Sequence, residues 1–316
     1  MQIRNLGVVA LVVACLLGGC SNAETAKPST SQPPKPAVML DGTYRLDFDR
    51  AQQTMDGRPL PEEPYARTYA FRSACDADSC TATGVRVNDQ NPSQLAGGGT
   101  VVLDYIGDEW VRTYNNSQTC RDAQVPVLES WSFKPGGGGS LAGRRRLAFV
   151  YSPCTGAYDQ PVTVTRTGDV DPAVTVTDPG KVAPLTRSAG ARLKGRYNRT
   201  ITQGATGQKT TIPVKVTTTC VRNFNHCLTY VVTDAADGAP ATAEGYQLQD
   251  GLWSVDRPFQ GTCPDGAPVN GITHIEWTLP DQAADPIPRL TGTQRDAADP
   301  CPGTTNADIV LERIGD

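Results

Sequence analysis

The sequence predicts an all-β protein built from two tandem antiparallel β-barrels, each up-and-down with about eight strands, with β-sandwich domains as the open alternative. Three observations support this prediction. Short runs of alternating apolar and polar residues recur between turn signals, no stretch has a helical period, and the 31 glycines and 25 prolines among 316 residues are typical of loop-punctuated β proteins. Eight consecutive strands suit a barrel, which removes sheet edges by closing on itself.

The charge balance limits the classes of partner. The 29 Lys and Arg against 33 Asp and Glu give a formal charge of −4. This argues against a nucleic-acid partner, because nucleic-acid binders carry a basic face. Ten cysteines indicate an oxidising compartment. We therefore expect an extracytoplasmic protein.

The N-terminus has the pattern of a signal peptide over residues 1–19. Arg4 precedes an apolar run from Leu6 to Leu17, which is shorter than the roughly 20 residues that cross a bilayer. Leu17-Gly-Gly-Cys20 resembles the lipobox of bacterial lipoproteins, in which the cysteine thiol receives a diacylglyceryl group. The resemblance implies that acyl chains such as palmitate hold Cys20 at the cell membrane, and an ordinary signal peptide with a stray cysteine is the alternative.

The segment that follows, residues 20–39, is rich in proline, serine and threonine. Pro28, Pro33, Pro34 and Pro36 favour an extended conformation. We expect a tether between the lipidated cysteine and the folded chain.

The rest of the chain contains an internal duplication, because ordered landmarks recur in its two halves. The pairs are Gly42-x-Tyr44 and Gly195-x-Tyr197, Trp110 and Trp253, Trp131 and Trp277, and Leu141-x-Gly143-x-x-Arg146 and Leu290-x-Gly292-x-x-Arg295. The duplication predicts a first β domain over 40–172, a linker over 173–190 and a second β domain over 191–316.

Eight cysteines remain once Cys15 leaves with the signal peptide and Cys20 is lipidated, four in each unit. Spacing allows three pairings per unit, and the duplication favours a near pair at a hairpin and a far pair between distant loops. The expected disulfides are Cys75–Cys80, Cys120–Cys154, Cys220–Cys227 and Cys263–Cys301. A zinc site is disfavoured, because Cys-x-x-Cys spacing is lacking, and we predict no metal and no cofactor.

In the first unit the alternating runs lie near 42–49, 67–74, 80–87, 100–106, 109–114, 126–133, 141–150 and 161–167. Glycine and asparagine clusters predict turns at Gly107-Asp108, Gly136–Gly139 and Asn88–Gly99. On the first strand Tyr44 shares the inward face with Leu46 and Phe48. On the last strand, alternation places Arg166 on the apolar side.

A Gly-x-aromatic opening strand and an inward arginine on the closing strand resemble the calycin barrels, the group of lipocalins, fatty-acid-binding proteins and avidins. In that family a tryptophan packs under the arginine at the closed end, whereas this sequence has Tyr44 beside Arg166. The resemblance implies a barrel that holds a small molecule inside it or at its mouth.

Strands six and seven of the first unit can be registered across the glycine loop. Pairing Phe133 with Leu141 sets Trp131 against Gly143 and Glu129 against Arg145. The same register in the second unit sets Trp277 against Gly292 and Ile275 against Gln294. An ion pair inside a small barrel is costly unless fully hydrogen-bonded, so Glu129 and Arg145 are candidate ligand contacts, with a structural pair or a solvated rim pair as alternatives. Trp131, Tyr44 and Arg166 complete the predicted ligand-binding set.

Three segments resemble actinobacterial, especially mycobacterial, secreted proteins and lipoproteins, and the extracytoplasmic module of some receptor Ser/Thr kinases. They are Asp41-Gly-Thr-Tyr-Arg-Leu-Asp-Phe-Asp, Phe71-Arg-Ser-x-Cys75-x4-Cys80-x-Ala82-x-Gly84 and Val101-Val-Leu-Asp104. The printed sequence contains no kinase domain, so sensing would require a partner protein.

No catalytic motif recurs: there is no Gly-x-Ser-x-Gly, phosphate loop or dinucleotide fingerprint. We therefore predict a protein that is not an enzyme. The leading hypothesis is a membrane-anchored lipoprotein that binds an apolar or amphipathic small molecule or lipid. The alternative is an extracytoplasmic module for a protein or glycan of the cell envelope, without an internal ligand cavity.

Overall fold

The computed structural model describes residues 39–76, 79–234, 241–263, 266–299 and 304–316. The chain forms two eight-stranded antiparallel β-barrels, both within one compact unit, Pro33–Asp316. The all-β prediction is confirmed, and the barrel forms rather than the sandwich. No helix among the described residues is both long and apolar enough to cross a membrane.

Barrel 1 is the N-terminal barrel. Its sheet contains β1 (Gly42–Phe48), β2 (Thr54–Met55), β3 (Arg58–Pro59), β4 (Tyr65–Cys75), β5 (Cys80–Val87), β6 (Leu95–Ile106), β7 (Glu109–Cys120), β8 (Ala123–Pro135), β9 (Leu141–Phe149) and β10 (Gly156–Gly168). Strand β1 pairs with β4 on one side and with β10 on the other, which closes the barrel. The short β2–β3 hairpin extends the sheet from β10.

All eight predicted strands of barrel 1 are present, but β6 begins earlier than predicted. The expected Asn88–Gly99 turn ends before Leu95, which pairs with Val87 across an irregularity in the β5–β6 register. Gly97, Gly98 and Gly99 follow with positive φ angles. Their lack of side chains hides the alternation by which a strand is recognised, so the sequence pattern indicated a turn.

Large apolar side chains fill one end of the barrel 1 interior, which we call the apolar end. Tyr44, Phe71, Trp110, Phe133 and Leu141 are buried there in one hydrophobic cluster. Burial of each such side chain contributes about 1.5 to 3 kcal/mol, so this end carries much of the stability of the barrel.

Three of the expected disulfides are present in the structure. Cys75–Cys80 and Cys220–Cys227 each join the two ends of a hairpin, with Cα atoms 4.0 and 3.9 Å apart. Cys120–Cys154 joins the end of β7 to the loop after β9. The fourth expected pair, Cys263–Cys301, includes Cys301, which lies outside the described residues.

Barrel 2 repeats the plan of barrel 1. Its strands are β11 (Gly195–Gln203), β12 (Lys209–Cys220), β13 (Cys227–Thr233), β14 (Thr242–Gln249), β15 (Leu252–Thr262), β16 (Pro268–Thr278), β17 (Arg289–Asp299) and β18 (Thr304–Gly315). Pairing of β11 with β18 closes the barrel. Tyr197, Trp253 and Trp277 are buried at its apolar end.

The two barrels pack directly against each other. Leu128, Ala148 and Val150 of barrel 1 are buried in the hydrophobic cluster of barrel 2. Gly245 faces this contact, and a Cβ atom there would collide with the Cβ of Ala148. The glycine therefore permits the close approach of the barrels.

The segment between the barrels is also packed. Val174 and Val176 form a buried cluster with side chains of β4 and β5. Two short 3-10 helices follow, Pro179–Lys181 and Ala189–Arg192. The predicted linker, 173–190, thus packs on barrel 1 through Val174 and Val176 and reaches barrel 2 at Thr186 and Ser188, which hydrogen-bond to Asn223 and Asn225.

Candidate recognition site

The half of the barrel 1 interior away from the apolar end is polar. Alternation along β7, β8 and β9 directs five side chains into it, which are Arg112, Tyr114, Glu129, Trp131 and Arg145; we call them the polar cluster. Glu129 is 2% exposed, and the Arg145 side chain is 15% exposed. The connections 49–64, 88–94, 121–122 and 150–155 lie at the end of barrel 1 opposite the apolar end, which we call the open end of barrel 1.

Glu129 is the centre of the polar cluster because it accepts five hydrogen bonds. Arg145 donates from Nε to Oε1 and from Nη2 to Oε2, each at 2.7 Å. The Tyr114 hydroxyl at 2.5 Å and the Trp131 indole N–H at 2.8 Å also donate to Oε1, and the Asn116 amide donates to Oε2 at 2.8 Å. A carboxylate with this many donors is fully satisfied inside the barrel.

The pKa of Glu129 follows from the same contacts. Burial by itself would raise it, but the hydrogen bonds and positive charge of Arg145 outweigh burial and hold the pKa of Glu129 below its usual range. Conversely, burial together with the Glu129 charge raises the pKa of the Tyr114 phenol. Glu129 is therefore an anion and Tyr114 a neutral donor near neutral pH.

The predicted strand register around this pair is wrong by two residues. Trp131 lies opposite Arg145, and Phe133 lies opposite Gly143, whereas Glu129 lies opposite Leu147. A slip of two residues preserves which face a side chain occupies. Arg145 therefore still faces inward and reaches Glu129 diagonally, which is within the range of a long side chain.

The register predicted for barrel 2 is confirmed. Trp277 lies opposite Gly292 and Ile275 lies opposite Gln294. Because Gly143 and Gly292 are equivalent, the counterpart of Trp277 is Phe133 rather than Trp131. The two barrels therefore share one architecture, and the equivalence of Trp131 with Trp277 expected from the sequence is wrong by two residues at this strand.

Arg112 is a member of the polar cluster that the sequence reasoning missed. Its guanidinium carbon lies 3.8 Å from the ring centroid of Tyr114 and 5.0 Å from that of Trp131. No carboxylate of the described residues lies within ion-pair distance, and burial lowers the pKa of Arg112. The aromatic faces are its main compensation. Its position two residues after Trp110 on an alternating strand was the available signal.

Tyr44 and Arg166 lie at the apolar end, apart from the polar cluster. The Tyr44 hydroxyl donates to the Met39 carbonyl at 3.1 Å. Arg166 donates from Nε to the Asp41 carbonyl at 2.9 Å and forms an ion pair with Asp169. As alternation predicts, Arg166 lies opposite Tyr44 on the face of β10 that carries Val162 and Val164, and its side chain, 46% exposed, extends to solvent at the rim of the barrel. The structure does not bring these two residues together with Glu129.

Barrel 2 contains a second buried carboxylate, Glu244, which the sequence reasoning also missed. Arg199 and Arg257 approach it at 2.5 and 3.0 Å, and the Tyr246 hydroxyl donates to it at 2.6 Å. Burial opposes ionisation, but the two arginine charges lower the pKa of Glu244 to about 2. The alternation Glu244-Gly-Tyr246, which places both side chains on one face of β14, was the available signal.

Neither barrel shows a metal centre in its described part. No group of three or more His, Cys, Asp or Glu side chains there is arranged to hold a metal ion. His274 is 37% exposed and lies between Asp256 and Glu276, with its ring nitrogens 2.6 and 3.0 Å from their carboxylates.

Comparison with known proteins gives one family match. The family model described as the PknI serine/threonine-protein kinase sensor domain matches residues 35–181. Over 74 residues the chain is 35% identical to the serine/threonine-protein kinase PknI of Mycobacterium tuberculosis and of Mycobacterium bovis. That stretch spans 23% of this chain and 13% of the length of each kinase. The resemblance predicted from barrel 1 is confirmed.

Solved structures were compared as well. The monomer form of the M. tuberculosis PknI sensor domain is 26% identical and covers 46% of this chain and all of that chain, with a TM-score of 0.42. A putative outer membrane protein from Bacteroides fragilis covers 87% of this chain and 98% of its own, at 8% identity and a TM-score of 0.22.

Proposed function

We propose that this chain is an extracytoplasmic recognition module of the sensor type, held at the membrane through a lipidated Cys20, that binds a protein of the cell envelope and carries out no reaction. The observation that carries the proposal is the match of residues 35–181 to the sensor domain of the serine/threonine-protein kinase PknI. The disulfides support it, because they are typical of proteins outside the cytoplasm.

The chemistry of the polar cluster favours binding over catalysis. A general acid or base works best with a pKa near the operating pH. The pKa of Glu129 lies below its usual range instead, and its five donors leave it no free role in proton transfer. We infer that Glu129 fixes the positions of Arg145, Trp131 and Tyr114.

The open end of barrel 1 is the surface we assign to the partner. Leu95, at the start of β6, is 59% exposed, and Tyr151, in the loop after β9, is 51% exposed. Arg112 lies deeper in the barrel, opposite Trp131 and two residues from Trp110 of the apolar end. Exposed apolar side chains at this end suit a protein segment that supplies apolar side chains of its own.

An apolar ligand inside barrel 1 has less support. The Trp131 ring lies 5.7 to 5.9 Å from the rings of Phe48, Tyr69 and Tyr114, and the hydrogen bonds of Glu129 are satisfied by the protein. The interior groups predicted to contact a ligand contact each other.

Site-specific photocrosslinking in intact cells of the native host tests the proposal. A photoreactive residue replaces Leu95 in the full chain, and the matched control replaces Leu252, which is 39% exposed at the start of β15 in barrel 2. We expect a discrete protein adduct from position 95 and none from position 252. Three results would overturn the proposal of a protein partner at this end. They are no adduct at position 95, equal adducts at positions 95 and 252, and an adduct with a glycan.

A further inference from the structure

A cleft of about 200 Å³ lies between the two barrels. Its apolar lining residues, all half-buried, are Val102, Ile106 and Val111 of barrel 1 and Leu185, Ala191 and Val221 of the following segment and barrel 2. The second group lies outside residues 35–181, which match the sensor domain. The cleft, which we call the interbarrel cleft, therefore requires both barrels.

The charged lining of the interbarrel cleft is mainly basic. Besides Arg112, whose guanidinium stacks on Tyr114 inside barrel 1, the charged residues are Arg187, Arg192, Lys194, Arg222, Asp104 and Asp285. Both carboxylates are already paired. Arg222 lies 2.9 Å from Asp104, and Lys194 lies 3.0 Å from Asp285.

Arg187 and Arg192 remain as excess positive charges. Arg192 donates one N–H to the carbonyl of Ala283, and within the described part of the chain neither guanidinium forms an ion pair. Each guanidinium has five donors in a planar fork that suits a carboxylate or phosphate. Arg192 is half-buried and Arg187 is exposed, so the apolar walls, which lower the local dielectric constant, strengthen chiefly the attraction of Arg192 for an anion.

We propose that the interbarrel cleft binds a small amphipathic anion, with its acidic group on Arg187 and Arg192 and its apolar body between the walls. The ligand is small because the cleft encloses only about 200 Å³. This site is independent of the protein partner proposed for the open end of barrel 1, since the two involve different faces of barrel 1.

Titration calorimetry on the folded two-barrel chain tests this site with three probes. Octanoate combines both features, acetate has only the charge, and octan-1-ol has only the apolar body. We expect octanoate to bind at least about ten-fold more tightly than either of the others. Octan-1-ol or acetate binding as well as octanoate would overturn the proposal.

Substitutions test whether octanoate binds at Arg187 and Arg192. The double variant Arg187→Gln, Arg192→Gln should weaken octanoate binding by at least about ten-fold, because it removes the charged donors. Arg289→Gln is the matched control, since Arg289 is 61% exposed on β17 and does not line the cleft; it should bind octanoate normally. Undiminished binding in the double variant would overturn the assignment.

A filling variant tests the apolar walls while it leaves every charge in place. Ala191→Phe should abolish octanoate binding, because the added ring occupies the cleft. Unchanged unfolding temperatures and intact disulfides establish that each variant is folded. A folded Ala191→Phe protein that binds octanoate as the parent does would contradict the placement.

Discussion

A buried carboxylate such as Glu129 is tolerated only while its ion pair and hydrogen bonds remain intact. Replacing Arg145 by methionine leaves that charge buried without its partner. We expect Arg145→Met to lower the free energy of unfolding by about 3 to 5 kcal/mol at neutral pH. Urea unfolding followed by tryptophan fluorescence measures the change.

The pH dependence of this loss has a defined sign. In the parent protein the pKa of Glu129 is lowered, so the stability from the pair is present at neutral pH and is lost as pH falls through that lowered pKa. In Arg145→Met, burial raises the pKa of Glu129, and protonation relieves the buried charge. The difference in free energy of unfolding between the parent and Arg145→Met should therefore become smaller as the pH falls from about 7 to about 4. A deficit that stays constant or grows on acidification would contradict the buried ion pair.

The matched control is Arg45→Met. Arg45 pairs with Asp47 at 2.8 Å on the outer face of β1, where its side chain is 55% exposed. Solvent screens such a pair, so its loss should change the free energy of unfolding by less than about 1 kcal/mol.

At the level of single residues, the sequence predicted which side chains face inward, but it did not predict all members of the polar cluster or the buried Glu244. Alternation placed Glu129, Trp131 and Arg145 inside correctly. Arg112 and Glu244 also follow the alternation, but alternation alone does not show which charged residues on an inward face find a partner. The partner of such a residue lies on a neighbouring strand, and the sequence does not determine the register between the two strands.

Among the strands, the sequence predicted the elements better than their pairing. A strand has a side-chain period of two residues, so facing is set by the apolar pattern, while registers that differ by two residues satisfy it equally. For β8 and β9 the glycine loop left both registers open. The close approach at Gly143 selects the observed one, and a close approach is a property of the packed barrel.

A substitution at Gly143 tests the observed β8–β9 register. A Cβ atom at this position would meet the carbonyl oxygen of Ser132 and the ring of Phe133. We expect Gly143→Ala to destabilise barrel 1 by about 1 to 3 kcal/mol, because the added methyl group overpacks the β8–β9 contact. Thermal unfolding of the full chain measures the effect.

Gly137→Ala is the control from the adjacent loop, since a Cβ atom there meets nothing within 4 Å. It should leave stability unchanged or raise it by up to about 1 kcal/mol through the unfolded chain. Equal effects of the two substitutions would be inconsistent with the observed register.

For the molecule as a whole, the docking of the barrels is what the duplication alone did not reveal. Each repeat predicts its own core, yet Leu128, Ala148 and Val150 of barrel 1 are buried against barrel 2. Arg222 of barrel 2 also pairs with Asp104 of barrel 1. Outward residues of a strand carry no periodic signal for a neighbouring domain, so this interface and its cleft emerge only from the folded chain.

Membrane attachment is the remaining property of the whole molecule, and it depends on residues outside the described ranges. If Cys20 carries a diacylglyceryl group, its two acyl chains provide stable anchoring, since a single chain gives only marginal binding. We expect Cys20→Ser to move the protein from the membrane fraction to the soluble extracytoplasmic fraction or the medium, and to abolish incorporation of a clickable palmitate analogue. Cell fractionation and in-gel fluorescence measure both effects.

Cys15→Ser provides the control for that measurement, because Cys15 lies within the apolar run of the signal peptide. This variant should keep both the label and the membrane location, since the predicted lipobox ends at Cys20. If Cys20→Ser remains labelled and membrane-bound, lipidation at Cys20 is refuted. If it loses the label but stays at the membrane, the folded chain itself must bind the envelope. In that case the partner proposed for the open end of barrel 1 is the first candidate for what retains it, and a Leu95 crosslink in the Cys20→Ser background would identify it.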